Sequence, residues 1–528
     1  MNRQNLIGQK ILLAFKGKKP TPGIVAALQK YKPAGLTLFR SLNIDNPAQV
    51  RTLTGSLQHL AQDFGLPPLL IATDQEGGQL MAIGKGVTPL PGNMALGATG
   101  STELARRAGE VLGSELAAMG VNVNYAPSCD VNINPHNPVI GTRSFGEKPD
   151  EVASLAAALI NGMQSQGVAA VAKHFPGHGD TATDSHHGLP SLPHDLDRLQ
   201  QVEFPPFRAA VEAGVKLVMS AHLALPAIDG LDAPPATLSP SILKGILRGQ
   251  LGFEGVIVSD AMDMQAIRQG EALGEDAVRA ATAGVDLLLL GSNPADHQRV
   301  YSSLKKAVEQ GMLDQEDISR SVERILTLKR WLAGGFPVPG LEVVGCADHQ
   351  AVAAEIAERS ITLVRDLENI LPLNLKAEQR LAVIIPKPVD LTPADTSSYI
   401  TPGLAAAMRE YHPNVVEHII PYAPEEADIS AVLQQLSSYD FVICCTLNAL
   451  ESPGQAKLLR RILQSGVRTI IVALRLPYDL VAFPEAPAYI CTYSILEPSM
   501  RALAKALFGH FVFEGKLPVS IPELYPAG

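Results

Sequence analysis

Nowhere in its 528 residues does the chain carry a run of Lys and Arg, and its formal net charge is −10. Without a basic stretch there is little to neutralise phosphates or an anionic bilayer, so neither nucleic acid nor a membrane is an expected partner. The acidity more simply serves solubility. Cysteine is scarce: five residues, at 129, 346, 444, 445 and 491, odd in number and with no CxxC spacing. That excludes a disulfide framework, and Cys444 and Cys445 inside the apolar run "FVICCT" read as buried free thiols. No apolar stretch is long and uncharged enough to span a bilayer. The opening "MNRQNLIGQKILLAF" lacks a long apolar h-region and a small-residue cleavage site, so a cytoplasmic location is expected. Neither a GxGxxG after a strand nor a GxxxxGK[ST] is present, so no nucleotide site is indicated. Low-complexity segments and short internal repeats are absent as well.

What the chain does have is 46% apolar and 18% charged residues, the balance of a globular protein with large cores. Its length suggests two domains or three. Eight short apolar runs recur over the first 330 or so residues: 10–15, 35–39, 68–74, 121–127, 168–174, 215–221, 255–260 and 285–291. They are continuous rather than alternating, as expected when both faces of a parallel strand are buried. Helical patterns such as 101–120 and 150–167 lie between them, each ending on a Gly suited to a C-cap. The repeated unit predicts an α/β fold, a (β/α)8 barrel of the TIM type over residues 1–334. The Gly- and Pro-rich stretch "GGFPVPGLEVVGC" (334–346) opens a linker and connecting helix over 335–365. Over 366–528, strands are expected at 381–386, 415–420, 441–446, 468–474 and 488–494, forming a three-layer α/β sandwich.

Polar residues gather at the C-terminal ends of the barrel runs: Asp74, Lys173–His174, His222 and Asp260. Barrel enzymes place catalytic groups there, although a doubly wound sheet makes the same pattern at its switch point. The densest stretch is "KHFPGHGDTATDSHHGLP" (173–190), with four His and two Asp among glycines and prolines. Asp184 and His186 stand at i and i+2, which puts both side chains on one face of an extended segment. A carboxylate beside an imidazole fixes the ring tautomer and raises its basicity, making a general acid/base of it. Gly177, Gly179 and Gly188 would serve as hinges for a closing loop. The plainer reading is a His packed within a polar loop. A metal cluster of His174, His178, His186 and His187 competes, but there is no HxH or HExxH on a single element, and Pro176 and the glycines disfavour a rigid cage. His178 and His187 are therefore read as structural or supporting. Asp260, in "GVIVSDAMDM", is either a nucleophile at the barrel rim or the N-cap of a following helix. Spacing leaves these two readings open.

These stretches resemble a known family. "DQEGG" (74–78), "NPVIGTRSFG" (137–146), the 173–190 motif, "GVIVSDAMDM" (255–264), "RSITLVRD" (359–366) with "ILPL" (370–373), and "GKLPVSIP" (515–522) occur in the order found in glycoside hydrolase family 3. The match is to its β-N-acetylhexosaminidase branch in the two-domain form. The resemblance implies Asp260 as the nucleophile and His186 with Asp184 as an acid/base dyad. It implies sugar binding by Asp74, Arg143, Lys173 and His174, retaining double displacement, a carbohydrate substrate such as muropeptides or chitooligosaccharides, and no cofactor or catalytic metal. One departure stands out. Members often continue "DQEGG" with Arg-Val and a second Arg that helps hold a sugar hydroxyl, whereas this chain reads "GGQLMA", with Gln79 and Ala82. Rival readings are a phosphorylase or β-glucosidase on the same scaffold, a metal-dependent barrel hydrolase, and a non-catalytic sugar-binding module. The pattern leaves oligomeric state open.

Overall fold

The structure, a computed structural model, describes residues 3–186 and 188–528. Eight parallel strands form the first sheet: β1 (Ile11–Ala14), β2 (Gly35–Thr37), β3 (Leu70–Thr73), β4 (Val123–Asn124), β5 (Ala169–Phe175), β6 (Leu217–Ser220), β7 (Val256–Ser259) and β8 (Leu288–Leu290). Each falls on one of the eight apolar runs, with β5 reaching one residue further, to Phe175. Their spatial order is β8-β1-β2-β3-β4-β5-β6-β7. The ring closes through a parallel bridge between Val258 and Leu287, where the Ser259 N–H donates to the Leu287 carbonyl at 2.9 Å. A ring with crossover helices is a barrel, which removes the doubly wound alternative.

Side chains fill the barrel interior, Leu12, Leu70, Val171, Leu217 and Val256 among them. Ile325 and Leu328 of the helix Gln315–Leu332 join the same cluster and plug the end where the strands begin. That leaves the C-terminal end for chemistry. Two of the crossover helices show why they start and stop where they do. The Ser101 hydroxyl accepts from the Leu104 N–H to cap Thr102–Ala118, and Pro149 opens Pro149–Ser165. Just beyond these helices, Gly120 and Gly167 adopt φ of +74° and +77°, the left-handed turn that ends a helix.

The helix Ala347–Ser360 leads into a six-stranded sheet: β9 (Thr362–Asp366), β10 (Leu381–Pro386), β11 (Val415–Ile420), β12 (Phe441–Thr446), β13 (Arg468–Ala473) and β14 (Ala488–Cys491), in the order β9-β14-β13-β12-β10-β11. Five strands lie where the sequence places them. The sixth, β9, runs antiparallel to β14 at the edge, so this sheet starts at Thr362, ahead of the 366 expected. Alternate residues of the central strands enter different cores. Ala382, Ile384, Val442 and Cys444 face one layer, while Val383, Ile385, Ile443 and Cys445 face the other. This is the three-layer sandwich. All five cysteines are free thiols, and Cys444 and Cys445 are buried on opposite faces.

The two domains share more than a linker. The Tyr478 hydroxyl accepts from Asn132 Nδ2 at 2.9 Å. The C-terminal "GKLPVSIP" returns to the barrel: Lys516 N–H donates to the Ala98 carbonyl (2.9 Å), Glu147 N–H to the Pro518 carbonyl (3.0 Å), and Ser520 N–H to the Glu147 carboxylate (2.7 Å).

Candidate active site

A cavity of about 650 Å³ opens at the C-terminal mouth of the barrel. Asp74 follows β3, Lys173 and His174 are in β5, and Asp260 follows β7; all four line the cavity, together with Arg143 and His186. Asp184 stands behind His186 rather than on the wall. The structure therefore gathers into one place all seven candidate residues, drawn from four separate stretches of sequence.

Asp184 Oδ1 accepts from His186 twice, from the ring Nδ1 at 2.7 Å and from the backbone N–H at 2.9 Å. The imidazole thus carries its Nδ1 proton toward Asp184 and turns Nε2 away from it. Burial works against the charged ring, but the hydrogen bond and charge of Asp184, helped by Asp260, outweigh it and raise the His186 pKa above the ordinary imidazole value. Asp260 is opposite in tendency. Burial pushes its carboxyl up, yet His174, His222, His186 and the Ala261 N–H (2.8 Å from Oδ1) hold it below the usual range. The N-cap reading fails on geometry, because no α-helix opens after Asp260 until Ala272–Ala283.

The floor is an ion network that sequence reading only half found. Lys173 Nζ lies 2.8 Å from Asp74 Oδ1 and 2.7 Å from Glu76 Oε1. Arg143 grips Glu76 with two donors, Nε at 3.0 Å and Nη2 at 2.8 Å. Burial opposes the Glu76 charge, and the two cations overcome it, holding its pKa at about 2. His174 Nδ1 donates to fully buried Asp130 (2.7 Å), which also accepts from the His174 and His178 backbone N–H groups. Glu76, Asp130 and His222 were not among the candidates. Glu76 sits inside the quoted "DQEGG", and His222 at a strand end already noted as polar. Asp130, in "SCDVNI", gives no signal without the fold.

The 173–190 loop is held rather than hinged at its first glycines. A Cβ on Gly179 would stand 1.9 Å from the Val131 carbonyl oxygen, and one on Gly177 2.9 Å from Glu203 Cβ. Both glycines permit close approach, while a Cβ on Gly188 would meet only Thr183 Cγ2, at an ordinary contact distance of 3.8 Å. Asn137 Nδ2 donates to the carbonyls of His178 (2.9 Å) and Gly179 (3.1 Å), so the 137–146 stretch braces the loop. His178 bonds Thr181 (2.6 Å) and Ser185 (3.3 Å) within the loop, and burial, with the His174 charge, lowers its pKa to about 4. That is a supporting role. His187 lies outside the described residues.

The second domain completes the mouth, with Asp390, Thr392 and Tyr399 on the cavity wall. Gln79 explains how. Its carbonyl accepts from the N–H and hydroxyl of Thr396, both at 3.0 Å, and its side chain accepts from Thr142 and Arg475. Arg475 in turn holds buried Asp395 at 2.9 Å. Ala82 is buried in the wall. Beside it, Arg40 Nη1 donates to the Met81 carbonyl (2.8 Å) and the guanidinium lies 4.0 Å from the centre of the Tyr399 ring. A cation therefore stands next to the position where Ala82 has none.

Residues 6–328 match the glycosyl hydrolase family 3 N-terminal domain, and residues 361–525 match the C-terminal domain of that family. The chain belongs to glycosyl hydrolase family 3. It is 32% identical to a beta-hexosaminidase A of Pseudoalteromonas piscicida over 99% of this chain and 97% of that one. It is 30% identical to a beta-N-acetylglucosaminidase/beta-glucosidase of Cellulomonas fimi over 92% and 88% of the two chains. Among solved structures, a family 3 beta-N-acetylglucosaminidase from Paenibacillus sp. FPU-7 superposes with a TM-score of 0.94 and 37% identity, covering 99% of each chain. A beta-glucoside phosphorylase superposes with a TM-score of 0.81 and 25% identity, over 99% and 94%.

Proposed function

We propose that this family 3 enzyme is a β-N-acetylhexosaminidase that removes terminal β-linked N-acetylglucosamine by retaining double displacement. The observation that carries the reading is the 2.7 Å His186–Asp184 pair, whose imidazole lines the same cavity as a half-buried, ionised Asp260. Asp260 attacks C1 through an oxocarbenium-like transition state as His186 Nε2 gives its proton to the leaving oxygen. Asp184 steadies the imidazolium before transfer and orients the neutral ring afterwards. The same ring then takes a proton from water, which opens the glycosyl ester and releases the sugar with its β configuration. Asp74, Lys173, Arg143 and His174 bind the ring hydroxyls, and Arg40 supplies a cation beside Ala82. No helix among the described residues is long and apolar enough to cross a membrane. Cytoplasmic recycling of muropeptides or of chitin-derived oligosaccharides is the setting that suits the reaction.

A phosphorylase is the second reading, favoured by the acid/base itself. A neutral imidazole does not repel an incoming phosphate as a carboxylate would, and one structural relative is a phosphorylase acting on beta-glucosides. One assay separates the readings: p-nitrophenol release from the β-N-acetylglucosaminide and the β-glucoside, with and without phosphate. Preferential, phosphate-independent turnover of the acetamido sugar, with loss of ~10⁴-fold in Asp260→Ala, is expected. Phosphate-dependent formation of sugar 1-phosphate would make it a phosphorylase. Activity surviving Asp260→Ala would sink the nucleophile assignment, and proton NMR of the first product reports retention or inversion.

A further inference from the structure

Three groups that the reaction does not use come together at the 173–190 loop, Asp180 within it and His194 and Glu203 beyond it. We propose that Asp180, His194 and Glu203 form a site for one divalent transition-metal ion, zinc by preference, that ties the loop to the barrel wall. One ligand atom from each lies within 4.8 Å of the other two. Glu203 is only 3% exposed, and its Oε2 is buried with no hydrogen-bond partner among the described residues. A buried carboxylate with an unused oxygen is costly unless a cation meets it. The cationic or protonatable groups near it are Arg198 and His194.

Those groups are a poor match. Arg198 Nη2 stands 3.4 Å from Glu203 and 3.6 Å from Asp180, longer than a good guanidinium–carboxylate bond, and its Nε has no partner among the described residues. The Arg198 side chain is 32% exposed, so it has solvent to swing into. His194 Nε2 lies 2.6 Å from Asp180 Oδ2, and an ion inserted between them would need that contact to open by under about 2 Å. One imidazole and two carboxylates, with water in the fourth position, suit zinc, and manganese less well. The ion would not enter the reaction. Its consequence is mechanical: Asp180 precedes Asp184 and His186 on the same loop, and Glu203 leads into the helix Pro205–Glu212, so a bound ion fastens the dyad's loop to the wall.

The test is calorimetric titration of chelator-treated, dialysed full-length protein with zinc and then manganese chloride, alongside thermal melts. One zinc per chain with a raised Tm is expected. His194→Ala and Glu203→Gln should each weaken binding at least tenfold, while His186→Ala leaves it unchanged. Arg198→Ala should tighten binding, because it removes a competing cation. No binding at 100 μM zinc, or binding indifferent to His194→Ala, would overturn the proposal. So would binding lost in His186→Ala, which would put the ion on the catalytic histidines. Asp180→Asn serves as a further loss variant should either of the first two fail to fold, with circular dichroism as the check.

Discussion

His186 and Asp260 are tuned in opposite directions by what surrounds them, and the pH dependence follows from that. The first step needs His186 protonated and Asp260 ionised. Because the His186 pKa is raised, kcat/KM should hold through pH 6.5 and fall only at higher pH. Because the Asp260 pKa is lowered, the acid limb should fall below pH 3.8 unless the fold fails first. Asp184→Asn removes both the hydrogen bond to a charge and the charge itself. The alkaline limb should then move down toward or below the ordinary imidazole value, with a loss of about 10²–10⁴ in rate. A pH–rate profile of the two proteins on one aryl glycoside checks it; an unmoved limb would mean that Asp184 does not set the His186 proton. The 173–190 motif announced this pair because both partners are two residues apart. Glu76 and Asp130 owe their roles to partners far along the chain, at 143, 173 and 174, which no local pattern reveals.

At the level of elements, the motif loop is a braced segment. Gly179 touches the Val131 backbone, so Gly179→Ala must push the loop off the strand-end wall, whereas Gly188→Ala meets nothing closer than Thr183 Cγ2 at 3.8 Å. The first should lower kcat by at least tenfold and the second by less than twofold, measured on the same substrate. Equal effects would mean that close approach at 179 is not what holds the dyad. The segment 390–399 is a second element with a named anchor. Arg475→Ala leaves the Asp395 carboxylate buried without its cation, at a cost of about 3–5 kcal/mol, and frees Thr396 from its alignment on Gln79. A lower Tm and a raised KM are expected from melts and steady-state kinetics. The eight barrel strands were legible because burial on both faces makes each a pure apolar run. Strand β9 was not, because it lies at an edge, mostly half-buried, with polar residues in a run that pairs antiparallel.

The two halves of the molecule behave as one body around the cavity. Leu476, Tyr478, Leu480 and Phe483 of the second domain belong to the same apolar cluster as the barrel's outer helices, and the C-terminal strap lies across residues 97–98 and 146–147. A chain ending at residue 334 would expose that surface and lose the cavity's far wall. It should aggregate or melt well below the full chain and show no turnover, as scattering and melts would report; a stable, active fragment would contradict the shared core. The sequence alone determined the two α/β architectures, the seven candidate residues and the family resemblance. The architectures rest on short-range signals, apolar runs above all, as do Asp260 at a strand end and Asp184 with His186 in a dense loop motif, whereas the sugar-binding roles, that of Arg143 among them, were implied by the resemblance. Only the tertiary structure decided that Glu76 and Asp130 hold the floor, that Gly177 and Gly179 are contacts rather than hinges, and that Asp390, Thr392 and Tyr399 reach the mouth. Each of these depends on where residues distant in the chain meet, and such meetings leave no periodicity in a single sequence.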